Sequence, residues 1–221
     1  MAETVAERIA RTLAERIVRG ELAPGIPLRQ DKIAAEFEAS HVPAREAFQL
    51  LRAQGLAVNE PRRGMRVAPL DRKAAQEVVE IRASLEVLAL SHAIPWLNAT
   101  SFERMEQALQ AGDRAETIEE WELANRAFHR EIVAPCRMPR LLAMLDGLQL
   151  ANSRIIFAAT RTAGWRPGTS HAHRQILDAL RQRDANRAAT LLRSHIHGLE
   201  QGKSGDFPSS PPSASWIGSG R

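Results

Sequence analysis

Residues 33–66 read IAAEFEASHVPAREAFQLLRAQGLAVNEPRRGMR. Ile33 and Phe37 are one helical turn apart and face inward on a short helix over residues 30–38. Ser40 then stands where a helix N-cap belongs, and Pro43 follows early in the next helix, where a missing amide proton costs nothing. That helix runs from about Val42 to Gln54, with Ala47, Leu50 and Leu51 turned to the core, and Gly55 closes it. Beyond it, Leu56 and Val58 lead into a turn over residues 59–64 and out again through Met65 and Val67, a hairpin with Arg62 and Arg63 at its tip. Helix, tight turn, helix and basic hairpin is the layout of a winged helix-turn-helix, whose second helix enters the major groove of DNA.

Working outward, residues 2–19 form a helix with Val5, Ile9, Leu13 and Ile17 on one face. Gly20 ends it, and ELAPGIPL (21–28) is a turn punctuated by proline and glycine. From residue 71 the period is helical throughout. Helices are expected at about 71–93, 100–111, 114–134, 138–160, 169–182 and 184–201, with a turn at Gly112 and Asp113 and a loop at 161–168. Six amphipathic helices with short connections make an antiparallel bundle. The expected fold class is therefore mainly α, divided into a winged helix-turn-helix over 1–70, an all-α domain over 71–201 and a tail over 202–221. The tail, rich in Ser, Pro and Gly, reads as disordered, with Trp216 and Ile217 as residues that could dock.

Composition agrees with that division. The chain has 221 residues, 44% of them hydrophobic, which suffices for a normal core. The formal charge is only +4, which permits nucleic-acid binding without requiring it. Residues 41–66 are more informative, with Arg45, Arg52, Arg62, Arg63 and Arg66 against Glu46 and Glu60. One cysteine, Cys136, excludes a disulfide framework and reads as a buried thiol. There is no charged start followed by an apolar stretch, nor a run of about 18 apolar residues, so the expected location is cytoplasmic.

The segment SHVPAREAFQLLRAQGLAVNEPRRGMRVAPL, with IVRGELAPGIPL ahead of it, resembles the DNA-binding domain of the GntR family of bacterial transcription regulators. EIRASLEVLAL, NRAFHREIV and HRQILDALRQRDANRAATLLRSHI resemble the FCD ligand-binding domain of that family's FadR-type branch. Two independent segments match in the family's order and spacing, over about residues 5–200. The resemblance implies a ligand-responsive regulator, a repressor released by its effector. His41 and Val42 depart from the family, which often has Arg after the serine and Thr before the proline, so contacts around them do not transfer.

The residues expected to meet DNA are Ser40, His41 and Arg45 at the start of the recognition helix, Arg29 and Lys32 at the start of the helix before it, and Arg62, Arg63 and Gly64 at the wing. A guanidinium at Arg45 can bond guanine O6 and N7 together; a surface pair with Glu46 or Gln49 is its alternative. Two arginines on a turn suit a phosphate or the minor groove. One winged domain makes few contacts, so a homodimer on a pseudo-palindromic double-stranded operator is expected.

In the bundle, Asn125 and His129 are four residues apart and share a helix face. With His173 and His195, both set among apolar neighbours, they form a candidate site for a divalent transition metal, Zn, Ni, Mn or Fe. The resemblance implies Asp, His, His, His at such a site. Asn125 is a neutral and weaker ligand that leaves the centre one charge more positive. His92, His171 and His197 read as bystanders. Arg82, if it points inward, needs an anion, either the carboxylate of a small organic acid effector or Glu86 one turn on. Trp165 and Arg161 could cover such a pocket. Two further readings are a regulator for which the metal itself is the signal, and an all-α metalloenzyme, for which only Glu122 and Glu131 lie near enough in sequence to serve as a base.

Overall fold

The computed structural model describes residues 3–163 and 170–201; Trp165, most of the loop around it and the 202–221 tail with Trp216 and Ile217 lie outside them. The described residues divide into two compact units between Ala74 and Ala75. The fold is mainly α, a winged helix-turn-helix followed by an antiparallel helical bundle.

In the first unit, α1 (Val5–Val18) opens with a capping box, in which Thr4 and Glu7 satisfy each other's backbone amides. Its buried face carries Ile9, Leu13 and Ile17, while Val5 is 44% exposed, outside the face that the spacing predicts. α2 (Gln30–Glu36) and α3 (His41–Ala53) follow. α3 buries Ala44, Ala47, Phe48 and Leu51, whereas Leu50 is 38% exposed. Assigning Leu50 to the core is thus corrected: residues 44, 47, 48 and 51 are the true 3–4 repeat, and Leu50 falls off it.

β1 (Ala57–Glu60) pairs antiparallel with β2 (Gly64–Val67), in a register running from Ala57↔Val67 to Glu60↔Gly64. Pro27 bridges to Arg66, so the lead-in segment lies along the hairpin. The tip turns through left-handed backbone at Arg62 (φ 64°) and Gly64 (φ 75°). Glycine suits its position; a side chain there strains the turn by roughly 1 kcal/mol or more.

The bundle comprises α4 (Arg72–Ala93), α5 (Ala99–Arg114), α6 (Ile118–Val133), α7 (Pro139–Ala163), α8 (His171–Arg181) and α9 (Ala185–Gln201), with short 3-10 turns at Ile94–Trp96 and Ala134–Cys136. Asn98 caps α5, and a Thr117–Glu120 capping box starts α6. The expected turn at Gly112 is displaced: α5 continues to Arg114. Gly112 lies inside it because a Cβ there would meet Ser170 Oγ at 3.2 Å, so the glycine serves close packing rather than a turn. The core gathers Leu90, Met105, Phe128, Ile132, Ile176 and Leu192. Residues Pro139–Arg161 are long and apolar enough, by length and composition alone, to cross a bilayer. The same helix buries Gln149, Asn152, Ser153 and Arg154 beside Leu145 and Ile156, the pattern of a bundle's central helix.

Candidate functional site

The first unit presents a cleft that joins its three DNA-type elements. Arg29 and Gln30 from the start of α2, Arg45 and Gln49 from α3, and Asn59, Gly64 and Met65 from the wing line it together. Arg45 is exposed and, among the described residues, makes no ion pair with Glu46. Its neighbours Ala44 and Phe48 are buried, and this fixes the helix face from which it projects. Ser40 is the N-cap of α3, yet its side chain makes no capping bond, and His41 is exposed in the first turn. Arg29 is the N-cap of α2, and Lys32 is exposed on its first turn. At the wing, Arg63 reaches Glu60 at 3.3 Å while its side chain stays 68% exposed. Arg66 donates to the Gly25 carbonyl at 2.7 Å and is half-buried, so it braces the hairpin. The arginine excess read from residues 41–66 therefore overstates the charge offered outward by one.

In the bundle, α6, α8 and α9 bring His129, His173 and His195 to one point. Their Nε2 atoms are 3.3 Å (129 to 195), 3.4 Å (129 to 173) and 2.9 Å (173 to 195) apart. Ligand atoms around an ion held at about 2.1 Å stand about 3.0–3.4 Å apart, so the spacing fits a transition-metal centre. Asn125 lies one turn before His129 and is equally buried. Its Nδ2 donates to Glu122 at 3.0 Å, and its Oδ1 is buried without a hydrogen-bond partner. A buried amide oxygen without a partner is costly, and a cation would satisfy it. Three imidazole nitrogens at this spacing thus fit the group, and Asn125, on the same buried stripe of α6 as His129, has an oxygen free to join them.

Two carboxylates stand behind these ligands. Glu86, fully buried, accepts from His129 Nδ1 at 2.7 Å and from Arg82 Nε at 2.6 Å. Burial works to raise its pKa, but Arg82 and His129 outweigh this and hold it at about 2. His129 therefore carries its proton on Nδ1 and leaves Nε2 free as a donor to a metal, the carboxylate–histidine arrangement of metal sites. Glu122, also buried, bonds Ser153 as well as Asn125, and Arg126 lies at 4.0 Å. Its carboxyl is raised, chiefly by burial. Burial also pushes His195 down to about 3, and it lowers His129 and His173. Neutral imidazoles are the form that binds metal.

Arg82 points inward and makes the ion pair with Glu86 one turn on. Its Nε is taken by Glu86, and its Nη1 is buried without a partner. His197 lies 3.3 Å from Glu80 at the surface, away from the cluster, and Cys136 is a buried free thiol. Sequence reasoning offered Glu86 only as a partner for Arg82 and Glu122 only as a candidate base, and missed that they bond His129 and Asn125. The available signal was their position: both sit on the buried stripe of their helix, in line with Arg82 and with Asn125 and His129.

Comparison with known proteins agrees with this geometry. The family model "Bacterial regulatory proteins, gntR family" matches residues 5–67, and that of the FCD domain matches residues 77–198. A "Probable D-xylose utilization operon transcriptional repressor" from Paenarthrobacter nicotinovorans is 31% identical over 87% of this chain and 86% of its own length. The HTH-type transcriptional repressor GlaR of Escherichia coli is 28% identical over 84% of this chain and 90% of its own. Among solved structures, E. coli McbR/YncC superposes with a TM-score of 0.75 at 20% identity, covering 91% of this chain and 99% of the other, a likeness of fold. These relatives are regulators of transcription, not enzymes, which overturns the metalloenzyme alternative. The chain belongs to the GntR family of bacterial regulatory proteins and is a DNA-binding transcriptional regulator with an FCD domain.

Proposed function

We propose that this regulator is a cytoplasmic repressor that binds a pseudo-palindromic operator as a homodimer and is released by a small organic acid. In this reading the unit up to Ala74 reads DNA, through Ser40, His41 and Arg45 on α3, Arg29 and Lys32 beside it, and Arg62, Arg63 and Gly64 at the wing. The bundle holds a divalent transition metal on Asn125, His129, His173 and His195 and provides the dimer contact. The observation that carries the reading is the convergence of three imidazole nitrogens within 3.4 Å of one another. Arg82 supports the effector: its unpartnered Nη1 is a buried donor suited to a carboxylate. The metal, when bound, supplies a Lewis-acidic anchor for an anion. Around it Glu86 orients His129, Glu122 holds Asn125, and the buried bundle core excludes water.

Release requires the acid to bind one conformation better than the other. The test selects bound duplexes from a random library and titrates the purified protein against the selected site. Metal is removed or restored, and small carboxylic acids are added in turn. Two-fold symmetric selected sites and loss of binding with one acid, dependent on metal, are expected. Binding that tracks free metal with no acid present would make the metal the signal.

A further inference from the structure

Asn125 brings no charge to the centre, and a buried carboxyl group holds its side chain. The Glu122 carboxyl sits 3.0 Å from Asn125 Nδ2, one turn back on the same buried stripe of α6. It is locked there by Ser153 of α7. Glu122 thus takes the Nδ2 end of the amide, and Oδ1 is left buried without a partner.

We infer that Glu122 is a positioning residue for the metal centre: it holds the Asn125 amide by its nitrogen end and leaves the oxygen end free for a cation. Donation from Nδ2 to a carboxylate polarises the amide and makes Oδ1 a stronger donor to a cation. An aspartate at 125 has no N–H to give Glu122 and would lose this bond. The inference rests on the metal reading proposed above.

The experiment measures affinity of the metal-free full-length protein for Zn and Ni by competition with a chelator, and the visible spectrum of the Co(II)-loaded protein. Glu122→Gln can bond either end of the amide and so lets it turn; affinity falls by about 10- to 100-fold and the Co(II) bands shift. Asn125→Asp alone gains no affinity. The double variant Glu122→Gln/Asn125→Asp, which restores one N–H···O bond between positions 122 and 125 with its direction reversed, regains most of the loss and restores an oxygen-containing ligand spectrum. Circular dichroism of each metal-free variant tracks folding, and the double variant tests the hydrogen bond even if the single one is weakened. Wild-type affinity and spectrum in Glu122→Gln overturn the inference, as does Asn125→Asp binding as tightly as the double variant. A wild-type protein that takes up neither metal removes the centre itself, an outcome distinct from both.

Discussion

Glu86→Ala is the most demanding test of how the bundle core is held. Glu86 is fully buried and makes two bonds, at 2.6 Å to Arg82 and 2.7 Å to His129. Removing it leaves the Arg82 guanidinium, itself only 1% exposed, with neither water nor a counter-charge. Breaking a buried ion pair from one side costs about 3–5 kcal/mol. For a domain of this size that lowers the melting temperature by roughly 10–20 °C. The partner variant Arg82→Met/Glu86→Leu removes both charges and refills the volume, and it should recover most of the lost stability, since apolar replacement of a buried pair is often neutral. It should not recover metal binding, because His129 has still lost the group that fixes its ring. Urea unfolding of metal-free protein, followed by circular dichroism, reads the first effect and chelator competition the second. A Glu86→Ala protein within about 1 kcal/mol of wild type would refute the claim that this charge pair is a single unit.

Arg45→Ala should weaken binding to the selected operator by about 1–3 kcal/mol, roughly 5- to 150-fold, while leaving fold and oligomeric state unchanged; unchanged affinity in a gel-shift titration contradicts its role. Arg62→Ala/Arg63→Ala should lower affinity evenly across sequences and flatten the log–log salt dependence by about two per wing. An unaltered slope would mean that the wing stays in solvent. Metal-free protein should lose stability as pH falls below 6.5, the ordinary histidine value, towards the depressed value of about 3 at His195. In that window the unfolded chain binds more protons, at up to ~1.4 kcal/mol per pH unit for each imidazole. Glu86, held at about 2 against an ordinary 4.5, adds its own loss as pH falls from 4.5 towards 2, overlapping the lower part of that window. A urea midpoint that is flat between pH 7 and 5 counts against the burial of the histidines.

The architecture was legible because punctuation and period were clean. Gly55, Pro43 and the basic turn after Asn59 mark α3 and the wing, and three histidines on apolar stripes mark the centre. What escaped the sequence were facts of the third dimension. Leu50 looks like core by type but sits one position off the stripe that Phe48 completes. Gly112 looks like a turn, yet its missing side chain serves the contact with Ser170. Glu86 reads from the sequence only as a possible partner of Arg82, and Glu122 only as a candidate base, until their bonds to His129 and Asn125 are known. A carboxylate is tolerated inside only when donors meet it, and those donors come from α4, α6 and α7, far apart in sequence.

Unlike α1, α5 and α6, which close their own leading ends with Thr4, Asn98 and Thr117, α3 is left open: Ser40 closes nothing, and no acidic residue stands in its first turn. The helix is electrically unfinished. Its leading amides keep about half a positive charge that no side-chain cap among the described residues neutralises, at a cost of about 1 kcal/mol in its own stability. A phosphate arriving at that end would complete the helix, so folding and binding share one interaction, and stabilising the free protein at Ser40 would weaken its grip on DNA.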